Sequence, residues 1–296
     1  MSMDTRPIVV SFSGGRTSAL MSVLLKRHFG DKVKLIFLFA NTGQEHEKTL
    51  RFVDDCDKAF GLDVVWLEAE VCPEKGKGTT HRLVNFDSAS RAGRPFEDMC
   101  AKYGVSNQAY PHCTRELKLQ PIKSYLRSLG YKKGDYRMAV GIRADEIDRM
   151  SASADDNDII YPLISMWPTT KNMVIDWWSG SSYDLDIPEH LGNCVWCWKK
   201  SDRKLYTLAR EHPEIFDFPN RMENKYGFAG RDGRASGHDS AVFFRGGRSA
   251  KDIIREANEN PHIVFDPEMP PEQMDFIGMD RPGSGCSEEC GIGDLL

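Results

Sequence analysis

The apolar positions in the first part of the chain alternate between short continuous runs and helical spacing. The run IVVSFS at 8–13 is followed by two glycines and by TSALMSVLLKRHF, whose apolar residues recur with the period of a helix. The run VKLIFLFA, the segment EHEKTLRFVDDCDKAF and the run DVVWLEAE repeat this order. Continuous runs are typical of strands buried on both faces, and helical spacing is typical of amphipathic helices. Gly30 and Gly61 are expected to end the two helices.

Strands that alternate with helices predict βαβ crossovers, so we expect an α/β fold with a twisted parallel sheet and helices on both faces. Later segments continue the pattern, with strands at MAVGI and IIYPLI and helices at PTTKNMVIDWWS and SAKDIIREANEN. The stretch 72–94 breaks the periodicity and is expected to be a loop that suits a lid. We divide the chain into a sheet domain at 1–200 and a smaller helical and irregular region at 201–296 with a cysteine-containing tail.

Charge and composition narrow the classes of protein. The chain has 39 Lys and Arg and 44 Asp and Glu, and the net charge of 39 − 44 = −5 disfavours a protein whose main task is to coat nucleic acid. No stretch approaches the roughly 18 apolar residues of a membrane span, so we expect a soluble, cytoplasmic protein without membrane contact. The 8 cysteines are then expected to be buried thiols, metal ligands or redox centres rather than disulfides.

The first glycine turn is a candidate anion site. Glycines between a strand and a helix let backbone N–H groups approach an anion, and the helix amino terminus adds partial positive charge. The Walker loop would need a lysine after the glycines, and none is present. The alternative is a tight strand-to-helix turn without a ligand. The candidate ligands are Ser11, Ser13, Gly14, Gly15, Arg16, Thr17 and Ser18.

The two glycine turns resemble a known superfamily. SFSGGRTS resembles the PP-loop of N-type ATP pyrophosphatases, SGG-x-D-S, with Thr17 at the usual aspartate and Arg16 at a frequent lysine. NTGQEHEKTL resembles the DTG-x2-F/H-x-E-T segment of the branch that contains phosphoadenosine phosphosulfate (PAPS) reductases. The resemblance implies an adenine nucleotide alpha hydrolase-like fold and a bound adenine nucleotide: ATP, PAPS or adenosine phosphosulfate (APS). It adds three candidate ligands, Asn41, Thr42 and Gly43, with Asn41 in place of the aspartate.

Cysteine spacing indicates a metal centre. Cys194 and Cys197 have the CxxC spacing that lets two thiolates reach one metal. HCTRELKLQPIKSYL resembles the Cys-Cys-x2-Arg/Lys-Lys-x2-Pro-Leu element of sulfonucleotide reductases, with Cys113 retained and His112 where the first cysteine would be. The resemblance implies a 4Fe-4S cluster on Cys113, Cys194 and Cys197, with His112, an exogenous ligand or an open iron site as the fourth position. Zinc is the alternative, since three cysteines and a histidine also bind zinc. Three other cysteines have no such context: Cys56, Cys72 and Cys100.

Two further segments carry candidate catalytic residues. ECGIG near the end resembles the Glu-Cys-Gly-Leu/Ile-His of sulfonucleotide reductases, which implies that Cys290 is a nucleophile. Cys286 could be a resolving thiol or a second metal ligand. GIRADEIDR resembles the Gly-x-Arg-x2-Glu-Ser segment of the same family and follows a strand. Arg143 is therefore a candidate to hold phosphate or sulfate oxygens, and an ion pair with a neighbouring carboxylate is the alternative.

The resemblance implies a sulfonucleotide reductase-like enzyme. In such an enzyme Cys290 takes the sulfonate group from PAPS or APS, and a thioredoxin-like reductant releases sulfite. The alternative is an ATP-dependent sulfur transferase that uses a sulfur donor to thiolate a nucleic acid or nucleotide, which the intact SGG turn favours. A non-catalytic nucleotide-binding protein is the third hypothesis, and the sequence leaves open whether the chain forms a homo-oligomer.

Overall fold

The sheet is the centre of the fold. The computed structural model describes residues 4–229 and 240–266. Its strands lie side by side in the order β4-β3-β2-β1-β5-β6. All neighbours are parallel except β3 and β4, which are antiparallel. The strands are β1 (Ile8–Ser11), β2 (Leu35–Asn41), β3 (Val65–Val71), β4 (Thr79–Val84), β5 (Arg137–Ala139) and β6 (Ile159–Ile160).

Helices cover both faces of this sheet, which confirms the predicted α/β class. Along β1, Ile8 and Val10 belong to one apolar cluster and Val9 to another, because successive strand residues point to opposite faces. The helices are α1 (Arg16–Phe29), α2 (Glu47–Phe60), α3 (Arg94–Tyr103), α4 (His112–Thr114), α5 (Gln120–Ser128), α6 (Pro162–Ser165), α7 (Lys171–Ser179), α8 (Asp202–Glu211), α9 (Asp217–Tyr226) and α10 (Ala250–Glu259). The first cluster includes residues of α1, α2 and α7, and the second includes residues of α5.

The strand order places a crevice at the carboxyl end of β1. From β1 the chain moves outward through β2 and β3, and it later returns to the other side of β1 as β5. Ligands of open α/β sheets bind where the strand order reverses in this way. The SGG turn follows β1 and the segment around Arg143 follows β5. Both sequence candidates therefore lie at the same crevice.

One local prediction differs from the structure. The stretch 72–94 was expected to be a loop, but Thr79–Val84 within it forms β4. This strand pairs with β3 from Trp66 to Val71. The two strands form a hairpin around the glycine-rich turn between them, so β4 is regular because it pairs with β3 and not because of its own sequence pattern. The segment TRELKLQPIKSYLRS is helical, and Pro121 stands in the first turn of α5 directly after a π-helical turn at Arg115–Leu119.

The helices after residue 200 pack on the sheet domain. Leu205 of α8, Phe218 of α9 and Ile253 of α10 belong to the same apolar cluster as Ile8 of β1. A domain boundary near residue 200 stays a prediction. In the described residues, no helix combines the length and apolar character that crossing a membrane requires.

A buried carboxylate ties α9 to α10. Glu223 accepts the backbone N–H of Phe243 at 3.0 Å and that of Ala250 at 2.9 Å. Burial raises the pKa of Glu223 from 4.5 to about 7, although the two N–H groups oppose this shift. The protonated form is therefore favoured in the folded chain up to neutral pH.

This pKa predicts a pH-dependent stability. Because the folded-state pKa lies above the unfolded value of 4.5, the stabilisation from Glu223 is complete below pH 4.5 and is lost as the pH rises to about 7. We expect the free energy of unfolding of the wild type to fall by about 3 kcal/mol over this window relative to Glu223→Gln. Urea unfolding of both proteins between these pH values measures the difference, and parallel pH curves would contradict it.

Candidate nucleotide site

The SGG turn presents backbone donors at the start of α1. Gly14 has φ +88°, and a Cβ there would lie 2.7 Å from Cγ2 of Thr49, so the turn needs glycine for both reasons. Gly15 caps α1 without a side-chain hydrogen bond. Within residues 4–229 and 240–266, the backbone N–H groups of Gly14, Gly15 and Thr17 have no acceptor. Such N–H groups at a helix amino terminus are suited to binding an anion.

Serine hydroxyls brace the turn. Ser18 Oγ accepts the backbone N–H of Ser13 at 3.2 Å and donates to the carbonyl oxygen of Gly15 at 3.0 Å. The hydroxyls of Ser13 and Ser18 are 2.9 Å apart. Ser18 is buried, so its contribution is to hold the shape of the turn. Ser11 and Ser13 line a cleft beside the turn.

Arg143 reaches the same turn from β5. Its side chain is only 8% exposed, and its Nη1 donates to Oγ1 of Thr17 at 3.3 Å. Its Nε donates to Oδ1 of Asp145 at 3.0 Å, and its Nη1 lies 3.3 Å from Oε2 of Glu146. The structure thus has both features that the sequence suggested, the ion pair and the position beside the glycine turn. The carboxylates fix the guanidinium next to the first turn of α1.

Arg16 is engaged elsewhere. Its Nε and Nη2 each donate to one carboxylate oxygen of Asp184 at 2.7 Å, a bidentate pair. Its carbonyl oxygen accepts the indole N–H of Trp178 at 3.0 Å. Arg16 therefore links α1 to the segment after α7, and its guanidinium is committed to that contact in this structure.

Asn41 supports the second glycine turn from within. Its side chain is fully buried, and Nδ2 donates to Oε1 of Glu68 at 2.7 Å and to the carbonyl oxygen of Ser90 at 2.9 Å. Its Oδ1 accepts the backbone N–H of Gly43 at 3.2 Å. Glu68 is itself fully buried and also pairs with Arg82. Asn41 thus holds the second glycine turn in place, and its amide donates a hydrogen bond to the buried carboxylate of Glu68, which an aspartate would repel.

The carboxylate of Glu45 occupies the donors of the second turn. It accepts the backbone N–H groups of Thr42 at 3.0 Å and Gln44 at 3.2 Å, and the hydroxyl of Thr42 at 2.7 Å. With the N–H of Gly43 bound to Asn41, Thr42 and Gly43 offer no vacant backbone donor in the described structure. The two turns therefore differ: among the described residues, the first has N–H groups without an acceptor, and the N–H groups of the second are bound by side chains of Glu45 and Asn41.

The cysteine turn docks on this second turn. Val195 donates its backbone N–H to the carbonyl of Gln44 at 2.9 Å, and the indole of Trp196 donates to Oε1 of Gln44 at 2.6 Å. The thiol of Cys194 lies 3.3 Å from Oγ1 of Thr42 and 3.8 Å from Oε1 of Glu45. Segments about 150 residues apart in sequence thus meet at the carboxyl end of β2.

Cys113 is close enough to two other thiols, Cys194 and Cys100, to affect their pKa values. The pKa of Cys194 is raised by burial and by Glu45, with Lys118 opposing the shift and Cys113 adding to it. The pKa of Cys100 is raised by burial and by Cys113. Cys100, which has no metal context in the sequence, therefore belongs to the same electrostatic neighbourhood. Because the pKa of each thiol is raised, Cys194 and Cys100 are both protonated at neutral pH.

The predicted metal ligands do not form a ready set. His112 stacks between Tyr103 and Tyr110, with ring centroids 5.8 and 5.9 Å apart, and burial lowers its pKa. Cys197 is buried, and its backbone N–H donates to the carbonyl of Cys194 at 3.0 Å. In the part of the chain that the structure describes, no three His, Cys, Asp or Glu side chains are placed to hold one metal ion. Cys290 and Cys286 lie outside the described residues.

A cleft joins these parts of the site. It is lined by residues from the ends of β1 and β2, from the π-helical turn and from the cysteine loop, including Ser11, Ser13, Glu45, Lys118 and Asn193. Asn193 has φ +59°, which turns the chain toward Cys194. Sequence reasoning missed Glu45, Lys118 and Asn193. A Thr-x-x-Glu capping pattern was a visible signal for Glu45, and the other two had none.

Comparison with known proteins agrees with this geometry. The family model "Phosphoadenosine phosphosulfate reductase domain" matches residues 7–154. The "Uncharacterized nin region protein ORF290" of Escherichia phage lambda is 32% identical over 290 residues, which cover 96% of this chain and 94% of that protein. Two proteins of Methanocaldococcus jannaschii are also similar. "Uncharacterized protein MJ0066" is 28% identical over 48% of this chain and 24% of its own length, and "Uncharacterized protein MJ0973" is 25% identical over 71% and 46%. The chain therefore belongs to the phosphoadenosine phosphosulfate reductase domain family, a branch of the PP-loop superfamily.

Proposed function

We propose that this chain is an enzyme that binds an adenine nucleotide with its terminal anionic group on the SGG turn. The observation that carries this proposal is the set of backbone N–H groups at the start of α1 that have no acceptor among the described residues, next to the buried guanidinium of Arg143. Backbone donors and a fixed cation in one crevice are suited to a sulfate or phosphate group. Ser11 and Ser13 lie beside the turn and line the small cleft next to it.

The reaction that we propose first is sulfonucleotide reduction. The thiolate of Cys290 attacks the sulfur of the phosphosulfate, the sulfur–oxygen bond breaks, and the nucleotide phosphate leaves with the electron pair. Arg143 and the N–H groups of the turn stabilise the charge that develops on that phosphate. One thiolate of a thioredoxin-like dithiol then attacks Sγ of Cys290 and expels sulfite. Its second thiol resolves the mixed disulfide, so the dithiol is oxidised and the sulfonate is reduced.

The second candidate is an ATP-dependent sulfur transferase. The open SGG turn favours it, since a pyrophosphate group would use the same donors. In that reaction an acceptor oxygen of a nucleic acid or nucleotide attacks the α-phosphorus of ATP and releases pyrophosphate. A sulfur donor then displaces AMP from the activated acceptor.

Metal content stays a prediction under both reactions. The iron–sulfur cluster comes from the resemblance and the zinc alternative from the three cysteines and the histidine, and the described residues contain no group of three such ligands placed around one ion. Iron, zinc and sulfide analysis of protein purified without oxygen checks this, together with its absorption near ~400 nm, where thiolate-ligated iron is coloured.

Sulfite release tests the proposed function. We expect the anaerobically purified protein to release sulfite from PAPS or APS with a dithiol reductant, and Cys290→Ser to lose this activity while it still binds nucleotide. The matched control is Cys72→Ser, because Cys72 is a partly exposed cysteine between β3 and β4 with no metal or nucleophile motif around it. Pyrophosphate release from ATP on addition of RNA or DNA, with no sulfite from either sulfonucleotide, would select the transferase instead.

A further inference from the structure

A second cavity lies at the end of the sheet opposite to the SGG turn. It has a volume of about 320 Å³ and is lined by residues of α5, of the turn that follows it and of the starts of β5 and β6. The strands are parallel here, so this cavity is at their amino ends and the SGG turn is at the carboxyl end of β1. Its volume is at the small end of ligand sites, which suits one nucleotide unit.

The rim of this cavity is positively charged. Its lining includes Lys123 and Arg127, one helical turn apart on α5, and Lys132 and Lys133 from the following turn. Within the described residues, no carboxylate forms an ion pair with Lys123, Arg127 or Lys132. Lys133 donates to Oδ1 of Asn157 at 3.0 Å. The chain as a whole has a net charge of −5, so this cluster is a local feature.

The floor of the cavity is apolar and aromatic. Met138 is buried beneath it, and the rings of Tyr131 and Tyr136 meet edge to face with centroids 6.4 Å apart. The ammonium of Lys34 lies 5.5 Å from the centre of the Tyr131 ring. Aromatic floors with cationic rims bind nucleic acid bases by stacking and their phosphates by charge.

Two carboxylates lie nearby, and within the described residues neither forms an ion pair with Lys123, Arg127 or Lys132. Asp135 accepts the backbone N–H of Lys132 at 2.8 Å. Asp158 pairs with Arg6 at 2.7 Å. Burial, with Lys133 and Arg127 close by, lowers the pKa of Lys123, as expected where positive charge is not neutralised. The rim has four cationic side chains, more than are needed to bind one phosphate group. This number favours a strand with several phosphates over a single free nucleotide.

We infer that this cleft, formed by Lys123, Arg127, Tyr131, Lys132, Lys133 and Tyr136, binds single-stranded nucleic acid. One base stacks on the tyrosines, and the flanking phosphates lie along the cationic rim. This site is separate from the SGG turn, and the inference does not depend on which bond is broken there.

Binding of a short fluorescein-labelled oligonucleotide, measured by fluorescence anisotropy, tests this inference. Lys123→Glu/Arg127→Glu is expected to lower the affinity at least about tenfold and to reduce the slope of log K against log salt by about 2. The control Lys58→Glu/Lys251→Glu makes the same change in net charge at exposed lysines of α2 and α10 and is expected to retain wild-type binding. Equal losses in both variants would overturn the inference, as would a wild type that does not bind.

The aromatic floor is tested separately. Tyr131→Ala is expected to weaken binding by about tenfold, and Tyr131→Phe to preserve it, since stacking needs the ring and not the hydroxyl. Melting temperatures of each variant check that the fold is intact. Competition by AMP, performed in Arg143→Ala to weaken nucleotide binding at the SGG turn, distinguishes a nucleic acid strand from a free nucleotide as the ligand of this cleft. AMP that displaces the oligonucleotide at equal concentration would overturn the preference for a strand, while weak competition would support it.

Discussion

Replacing Arg143 with alanine is expected to weaken adenine-nucleotide binding by about a hundredfold or more at neutral pH. The guanidinium is buried, lies 3.3 Å from Oγ1 of Thr17 and is the cation that Asp145 holds beside the open N–H groups of α1. Truncating one partner of a buried charged hydrogen bond costs roughly 2–5 kcal/mol, because the other charge stays desolvated. Calorimetric titration with ATP, PAPS and APS measures the loss.

A matched variant separates this effect from structural damage. Arg149 pairs with the other oxygen of Glu146 at 2.6 Å, so Arg149→Ala removes the same charge and leaves the same carboxylate short of one partner. We expect Arg149→Ala to bind nucleotide nearly as the wild type does. Arg143→Lys should recover only part of the affinity, since an ammonium does not present the planar fork of donors. Equal losses in Arg143→Ala and Arg149→Ala would assign Arg143 a structural role only.

The crevice at β1 follows from local patterns. Continuous apolar runs with amphipathic helices between them predict parallel strands, and parallel strands bring the turns after β1 and β2 to the same edge of the sheet. The position of Arg143 follows in the same way, from a strand that ends just before it. Each of these steps uses only residues close in sequence and the handedness of crossovers.

The contacts that leave N–H groups of the first glycine turn without an acceptor and occupy those of the second could not be predicted in this way. Whether an N–H group at a turn is open or occupied depends on a side chain such as Glu45, which binds the turn and also contacts the docked cysteine loop. That loop comes from about 150 residues away, and its partners Gln44 and Thr42 carry no signal that points to it. The proximity of Cys100 to Cys113 is equally a product of packing between α3 and α4.

Asn41→Asp, which restores the aspartate that is usual in this motif, is expected to destabilise the protein by about 3 kcal/mol at pH 7. The aspartate would face the fully buried Glu68 without the Nδ2 donor that now bonds it at 2.7 Å. Two carboxylates in one buried site repel each other, and the shared charge of Arg82 compensates for only one of them. The free energy of unfolding from urea titrations measures the effect.

The pH dependence and a double variant identify the cause. A proton shared by the two carboxyls restores a donor between them, so the pKa of the pair is raised in the folded state and the lost stability should return as the pH falls. Asn41→Asp/Glu68→Gln exchanges the donor and the acceptor, and we expect it to regain much of the stability at pH 7. A single variant as stable as the wild type at pH 7 would contradict this account. The expected result explains why asparagine stands at this turn: its partner on β3 is already a buried carboxylate, and the turn needs a donor toward it.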